Sequence, residues 1–139
     1  MTANTTIAAL DIGSNTVMTL VMQADEQGQL QVMDEFGEVT QLGANANADN
    51  AYSLRDEPIA RSLAAARRQL VRLRDRYRHF TLVAAATSAV RDAPNGAAFM
   101  HQCGQELALQ DAPTILSGAL EAEATFLGAA SAFPPHQAF

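Results

Sequence analysis

The period of the apolar positions changes several times along this chain, and each change marks an element. Residues 6–11 form a short apolar run, Ile7-Ala8-Ala9-Leu10, that ends in Asp11. Residues 16–23 form a second, and Gly13-Ser14-Asn15 stands between them. Two short apolar runs joined by turn residues predict a β-hairpin. Asp25-Glu26-Gln27-Gly28 supplies another turn, and Gln29-Leu30-Gln31-Val32-Met33 alternates as a third strand should. Residues 43–50, with Asn45, Asn47 and Asn50 among alanines, follow neither period and predict a loop. Ile59, Leu63, Ala66, Leu70, Leu73 and Tyr77 then recur every three or four positions, with Pro58 suited to a first turn. They predict one long helix.

The second half reads as strands alternating with helices. Residues 80–86 are nearly continuously apolar, which predicts a strand buried on both faces of a sheet. Residues 87–91 leave its carboxyl end as a polar loop, and Asn95 is placed to cap a helix whose inward positions include Phe99, Cys103 and Leu107. Residues 113–116 make a short last strand, and a helix runs from about 119 to 130. The predicted order is βββαβαβα, an α/β domain with a mixed sheet: three antiparallel strands, then parallel ones reached through helices.

Composition narrows the class. A chain of 139 residues and a 48% apolar content fit a single domain with a core of its own. No apolar run approaches the roughly 20 residues needed to cross a bilayer. Residues 1–5 carry no positive charge and do not resemble a secretory signal, so a cytoplasmic location and no membrane partner are the expectation. The one cysteine, Cys103, is expected to be a small buried side chain. His79, His101 and His136 have no ligand spacing and are expected at the surface.

The net charge of −6 is unevenly spread. There is no lysine, residues 1–54 hold no basic residue at all, and eight of the nine arginines lie between Arg55 and Arg78. An acidic first third argues against nucleic-acid binding, and the absence of lysine excludes a P-loop that needs Gly-Lys-Ser/Thr. Arg61, Arg67, Arg68, Arg72, Arg74 and Arg76 line the long helix, where a solvated face is the better reading than an anion-binding stripe.

Candidate chemistry sits in three polar segments, Asp11 to Thr16, Thr87 to Arg91 and Ser117 to Glu121. Each follows the end of a predicted strand, and α/β sheets bind ligands beyond the carboxyl ends of their strands. In the first, Gly13 allows close approach of the backbone. Ser14, Asn15 and Thr16 add short polar side chains beside main-chain N–H groups, a cradle for phosphate oxygens, with Asp11 placed to hold a water or a cation. An ordinary hairpin turn would use the same residue types.

In this order and spacing the three segments resemble the exopolyphosphatase and guanosine pentaphosphate phosphohydrolase (Ppx/GppA) family. The resemblance rests on Asp11 to Thr16, Leu42-Gly43, Ala86-Thr87-Ser88-Ala89-Val90-Arg91, Asn95 with Phe99, and Leu116-Ser117-Gly118 through Glu121-Ala122 to Phe126 and Gly128. It implies the actin-like ATPase (ribonuclease H-like) fold, here as a half-domain. It also implies a phosphate-binding loop at Gly13, Ser14, Asn15 and Thr16, further phosphate contacts from Ser88 and Arg91, a metal-side role for Asp11, and Glu121 as the catalytic base toward water. Mg²⁺ is the implied cofactor, and polyphosphate or guanosine pentaphosphate the implied substrate. Three positions depart from the family pattern. Met18 and Gln41 stand where basic residues are usual, and Leu120 where a glutamate is. The family's second glycine-rich phosphate loop is expected beyond Phe133-Pro134-Pro135, and the sequence ends at Phe139. The expectation is therefore an N-terminal lobe with its second lobe absent, inactive alone and prone to pair with a second copy or with the missing C-terminal lobe. The alternative is a degenerate, non-catalytic phosphate-sensing or protein-interaction module.

Overall fold

A computed structural model describes residues 5–47 and 52–131. Nine elements follow in the order β1 (Thr5–Ile12), β2 (Thr16–Ala24), β3 (Leu30–Val39), α1 (Asp56–Arg76), β4 (Thr81–Ala86), α2 (Ser88–Asp92), α3 (Gly96–Glu106), β5 (Thr114–Ile115) and α4 (Gly118–Ser131). The strands form one mixed sheet in the order β3-β2-β1-β4-β5. β1 runs antiparallel to β2, with Ile12 opposite Val17 and Asp11 opposite Met18, and parallel to β4, with Asp11 beside Ala85.

Side-chain alternation divides this sheet into two unlike faces. Ala8, Leu10, Ile12, Val17, Val21, Phe36, Ala84 and Ala86 point to one face and are buried with Leu63, Ala66, Leu70 and Leu73 of α1 and Phe99, Met100 and Cys103 of α3. The α1 stripe is the one its period predicts, with Asp56 and Glu57 in its first turn and Arg74 and Arg76 in its last, complementing the helix dipole. Two of the buried polar side chains, Thr19 and Gln69, pair with each other, whereas the Thr40 and Ser62 hydroxyls have no hydrogen-bond partner among the described residues. Thr19 donates to Gln69 Oε1 at 2.7 Å, and Gln69 Nε2 donates to the Val17 carbonyl at 2.8 Å. Burial pushes the Cys103 thiol up to about 12, so it is an inert packing group.

Four expectations need correction. β4 is covered on one face only, and Val83 is 55% exposed on the other. A run of small and β-branched residues satisfies a one-sided strand as well as a two-sided one. β3 extends to Val39, because Phe36 pairs with Thr19 and continues the core face past the acidic stretch. Residues 88–92 form α2 rather than a loop, adding a helix to the predicted order. Asn95 precedes α3 but makes no cap bond with its side chain. Its amide instead donates to the Leu54 carbonyl and accepts from the Leu54 N–H, both at 2.9 Å, tying the approach to α1 onto the α2–α3 junction. The asparagine and alanine loop is described as far as Asn47; its remainder and His136 lie outside the described residues. His79 and His101 are exposed.

The arginines of α1 are neither idle nor free. Arg68 forks onto Glu38, Arg76 and Arg72 reach Asp34, Arg67 reaches Glu106, and Arg61 pairs with Glu57 and donates to the Thr40 carbonyl. The acids of the base-free first third and the bases of α1 thus meet across the edge of the sheet.

Candidate functional site

The turn between β1 and β2 is shaped by its own backbone and by the segment after β3. Gly13 N–H donates to the Thr16 carbonyl at 2.9 Å, and a Cβ on Gly13 would stand 3.0 Å from that oxygen. The Ser14 carbonyl accepts from Gly43 N–H at 2.9 Å; the Asn15 carbonyl accepts from Thr40 at 2.8 Å and from Gln41 at 3.0 Å. In a trans peptide the N–H points opposite to the C=O. These bonds therefore turn the Asn15 and Thr16 N–H groups away from the 40–43 segment. Gly13 is the exception to the cradle expected from sequence, because its N–H is used inside the turn. Gln41, at a positive φ of 51°, supports the turn through its backbone. Sequence reading missed this buttress of Thr40, Gln41 and Gly43. The Leu42-Gly43 pair was its one visible sign, with Leu42 wholly buried and Gly43 seated against Ser14 and Ala89.

Ser14 joins the turn to α2. Its hydroxyl accepts from Ala89 N–H at 3.1 Å and shares a 2.8 Å hydrogen bond with the Ser88 hydroxyl. Thr87, at the helix boundary, makes no cap bond with its side chain, so Ser14 supplies one to α2 from the far side of the sheet's first hairpin. When Ser14 donates to Ser88, the Ser88 hydroxyl keeps its own proton for a ligand oxygen.

Arg91, one turn further on, meets the start of α4. Its Nη1 donates to Glu121 Oε2 at 2.8 Å and to the Leu116 carbonyl at 3.1 Å, and its Nε lies 3.4 Å from Asp92. The hydrogen bond it donates to Glu121 is the main cause holding the Arg91 guanidinium above its already high ordinary value. Asp11 completes the group. Partial desolvation at the sheet surface, then the negative charge of Glu121, raise its carboxyl above the usual range. Met18, directly opposite on β2, offers no compensating cation, and its Cε lies 3.4 Å from where a Cβ on Gly37 would stand.

Asp11, Ser14, Ser88, Arg91 and Glu121 are thus brought together at the carboxyl ends of β1 and β4. Among the described residues no cluster of three or more His, Cys, Asp or Glu could hold a metal. Asp11 offers one carboxylate, which fits the one or two protein ligands by which Mg²⁺ is commonly held alongside phosphate oxygens and water. The raised Asp11 carboxyl marks a negative charge that a cation would compensate.

A family model described as the Ppx/GppA phosphatase family matches residues 20–139. Its range begins inside β2, after the turn. A crystal structure of the Aquifex aeolicus Ppx/GppA family member superposes with a TM-score of 0.80 at 24% identity, over 96% of this chain and 42% of that one. A second structural study of the Aquifex aeolicus enzyme gives 0.81 at 25% identity with the same coverage. An exopolyphosphatase from Cytophaga hutchinsonii gives 0.71 at 21% identity, over 85% of this chain and 36% of that one. The chain spans about two fifths of the length of the solved structures it matches. Its mixed sheet and helices have the actin-like ATPase fold of these neighbours, at the size of a half-domain.

Proposed function

The chain belongs to the Ppx/GppA phosphatase family, and from that premise we propose that it is the N-terminal phosphate-binding lobe of a phosphoanhydride hydrolase, inactive alone. The observation that carries this reading is the convergence of three separate segments on one end of the sheet, through Ser14 to Ser88 and Arg91 to Glu121. The substrate is a terminal phosphate of polyphosphate or guanosine pentaphosphate.

The roles follow from the chemistry of each group. Amides of the Asn15–Thr16 turn and the Ser88 hydroxyl donate to phosphoryl oxygens, and Arg91 neutralises their charge. Glu121, at the start of α4, takes a proton from the attacking water as the water oxygen bonds to the terminal phosphorus. The bridging P–O bond then breaks toward the remaining chain of phosphates. Asp11 would hold Mg²⁺, which when bound would supply charge neutralisation at the phosphoryl oxygens.

The test is phosphate release from polyphosphate and from guanosine pentaphosphate by the full-length gene product, with Glu121→Gln beside it. Loss of turnover by 100-fold or more in the variant is expected, on the order of what a general base contributes. Unchanged turnover would remove the assigned role of Glu121. One observation favours a second reading, a phosphate-sensing or protein-interaction module without catalysis: Met18 faces Asp11 where a cation would strengthen the hold on a polyanion. Phosphate binding without turnover of either substrate would select it.

A further inference from the structure

The helix that carries Glu121 is held to the rest of the fold in an unusual way. α4 has no buried residue along its 14 positions. Leu120, Phe126 and Leu127 are all more than half exposed, so packing does not fix its direction. Its other side-chain hydrogen bonds among the described residues are local: Ser117 to the Leu120 N–H, Thr125 to the Glu121 carbonyl and Ser131 to the Gly128 carbonyl. The ion pair of Glu121 with Arg91 is the side-chain bond that leaves the helix, and the same Arg91 Nη1 also grips the Leu116 carbonyl at the end of β5.

Arg91 is therefore placed between two demands. It latches α4 through Glu121, and it stands on the short helix whose first residues, Ser88 and Ala89, touch the Ser14 turn. Both ends of the pair are about one third exposed, at 30% and 35% of the side chain, so an anion from solution can reach the guanidinium. A phosphoryl group bears more charge than a carboxylate and offers more acceptor oxygens to the guanidinium fork. Its arrival also places like charge beside Glu121.

We propose that Arg91 is the positioning residue of α4: it holds Glu121 and the helix in place while the site is empty, and exchanges that carboxylate for phosphate when an anion enters the turn. Binding of the anion and release of α4 are then one event, with Glu121 freed from its ion pair as substrate arrives. The exchange rests on the phosphate-site reading above; the latch itself does not.

Amide hydrogen exchange across α4 separates the two. In the 139-residue chain without ligand, Arg91→Ala is expected to speed exchange of the α4 amides by about tenfold, and Arg91→Lys, which keeps the charge but loses the fork, by less. Inorganic phosphate is expected to speed the same amides in the wild type and to have no effect on them in Arg91→Ala. A phosphate titration by NMR on the wild type, Glu121→Gln, Arg91→Ala and the double variant completes the test. Glu121→Gln is expected to tighten phosphate binding about three- to tenfold when Arg91 is present, and less when it is absent. Simple relief of repulsion would give an equal or larger gain in the Arg91→Ala background and would overturn the exchange. Amides of α4 that do not respond to Arg91→Ala would overturn the latch. Absence of phosphate binding in the wild type would remove the phosphate-site reading and the exchange together, leaving the latch to stand on the ligand-free data.

Discussion

Asp11 carries the clearest electrostatic strain in the molecule, and its sign decides how stability follows pH. Its carboxyl is raised by desolvation and by Glu121, so the folded protein binds its proton more tightly than the unfolded chain does. The native state therefore holds the extra proton as pH rises from the ordinary carboxyl value of 3.8 toward the raised folded value, and stability falls through that window. Above it, the ionised Asp11 is a standing cost. Asp11→Asn is expected to raise Tm at neutral pH by roughly 1–3 °C, the scale of a relieved surface charge. The gain should vanish at acid pH, where the aspartate is protonated in both states. Thermal scans of the two proteins at matched pH check it, and a gain that persists in acid would point to packing rather than charge.

Met18 is the neighbouring residue with the opposite potential. Directly across the pair from Asp11, it fills space over Gly37 with an uncharged side chain. Met18→Arg is expected to lower the Asp11 carboxyl toward its ordinary range and to tighten inorganic phosphate binding by about tenfold, the worth of one charged hydrogen bond. NMR titration of the Asp11 carboxyl and of phosphate reads both, and phosphate affinity within twofold of wild type would place position 18 outside the anion's reach.

Among the elements, α2 and its junction with α3 matter most, because five residues carry both Ser88 and Arg91. The junction closes at Gly96, where a Cβ would stand 1.8 Å from the Val90 carbonyl oxygen and 2.9 Å from its carbon. No flexible side chain can yield there, since the obstacle is backbone. Gly96→Ala is expected to destabilise the fold by about 3 kcal/mol, the upper end for overpacking, and to weaken phosphate binding through displaced Ser88 and Arg91. Chemical denaturation gives the first quantity; a loss under 1 kcal/mol would mean that α2 can slide. Sequence made much of this scale legible. α1 follows from its period, because burial on one face is what sets the period, and the hairpin and β4 follow from apolar runs, though the run of β4 did not show that only one of its faces is covered. It did not show α2, for Thr87 to Asp92 is too short and too polar to have a period. It misassigned the amide of Asn95, because a cap and a long-range bridge to Leu54 use the same side chain. The site was legible as three segments at strand ends. The 40–43 buttress was not, since backbone N–H groups leave no mark on residue choice.

At the scale of the whole molecule, two of the apolar surfaces exposed among the described residues lie beside the site. One is the outer face of the sheet, with Met18 and Val83 exposed; the other is α4, with Phe126 at 71% and Leu127 at 59%. The arginines of α1 do not lie along either as a free cationic stripe, for most of them are spent on acids of β3, α1 and α3. Apolar area of this kind drives association unless something covers it. The 139-residue chain on its own is accordingly expected to self-associate at micromolar concentration, and Phe126→Ser with Leu127→Ser to return it toward monomer without loss of helix or of Tm, since neither side chain is buried. Multi-angle light scattering on the two proteins across a dilution series decides it. A wild-type chain that stays a monodisperse monomer would show that the net charge of −6 outweighs the apolar surface. Association that survives both serines would move the contact from α4 to the open face of the sheet, where Val83→Thr is the substitution to follow.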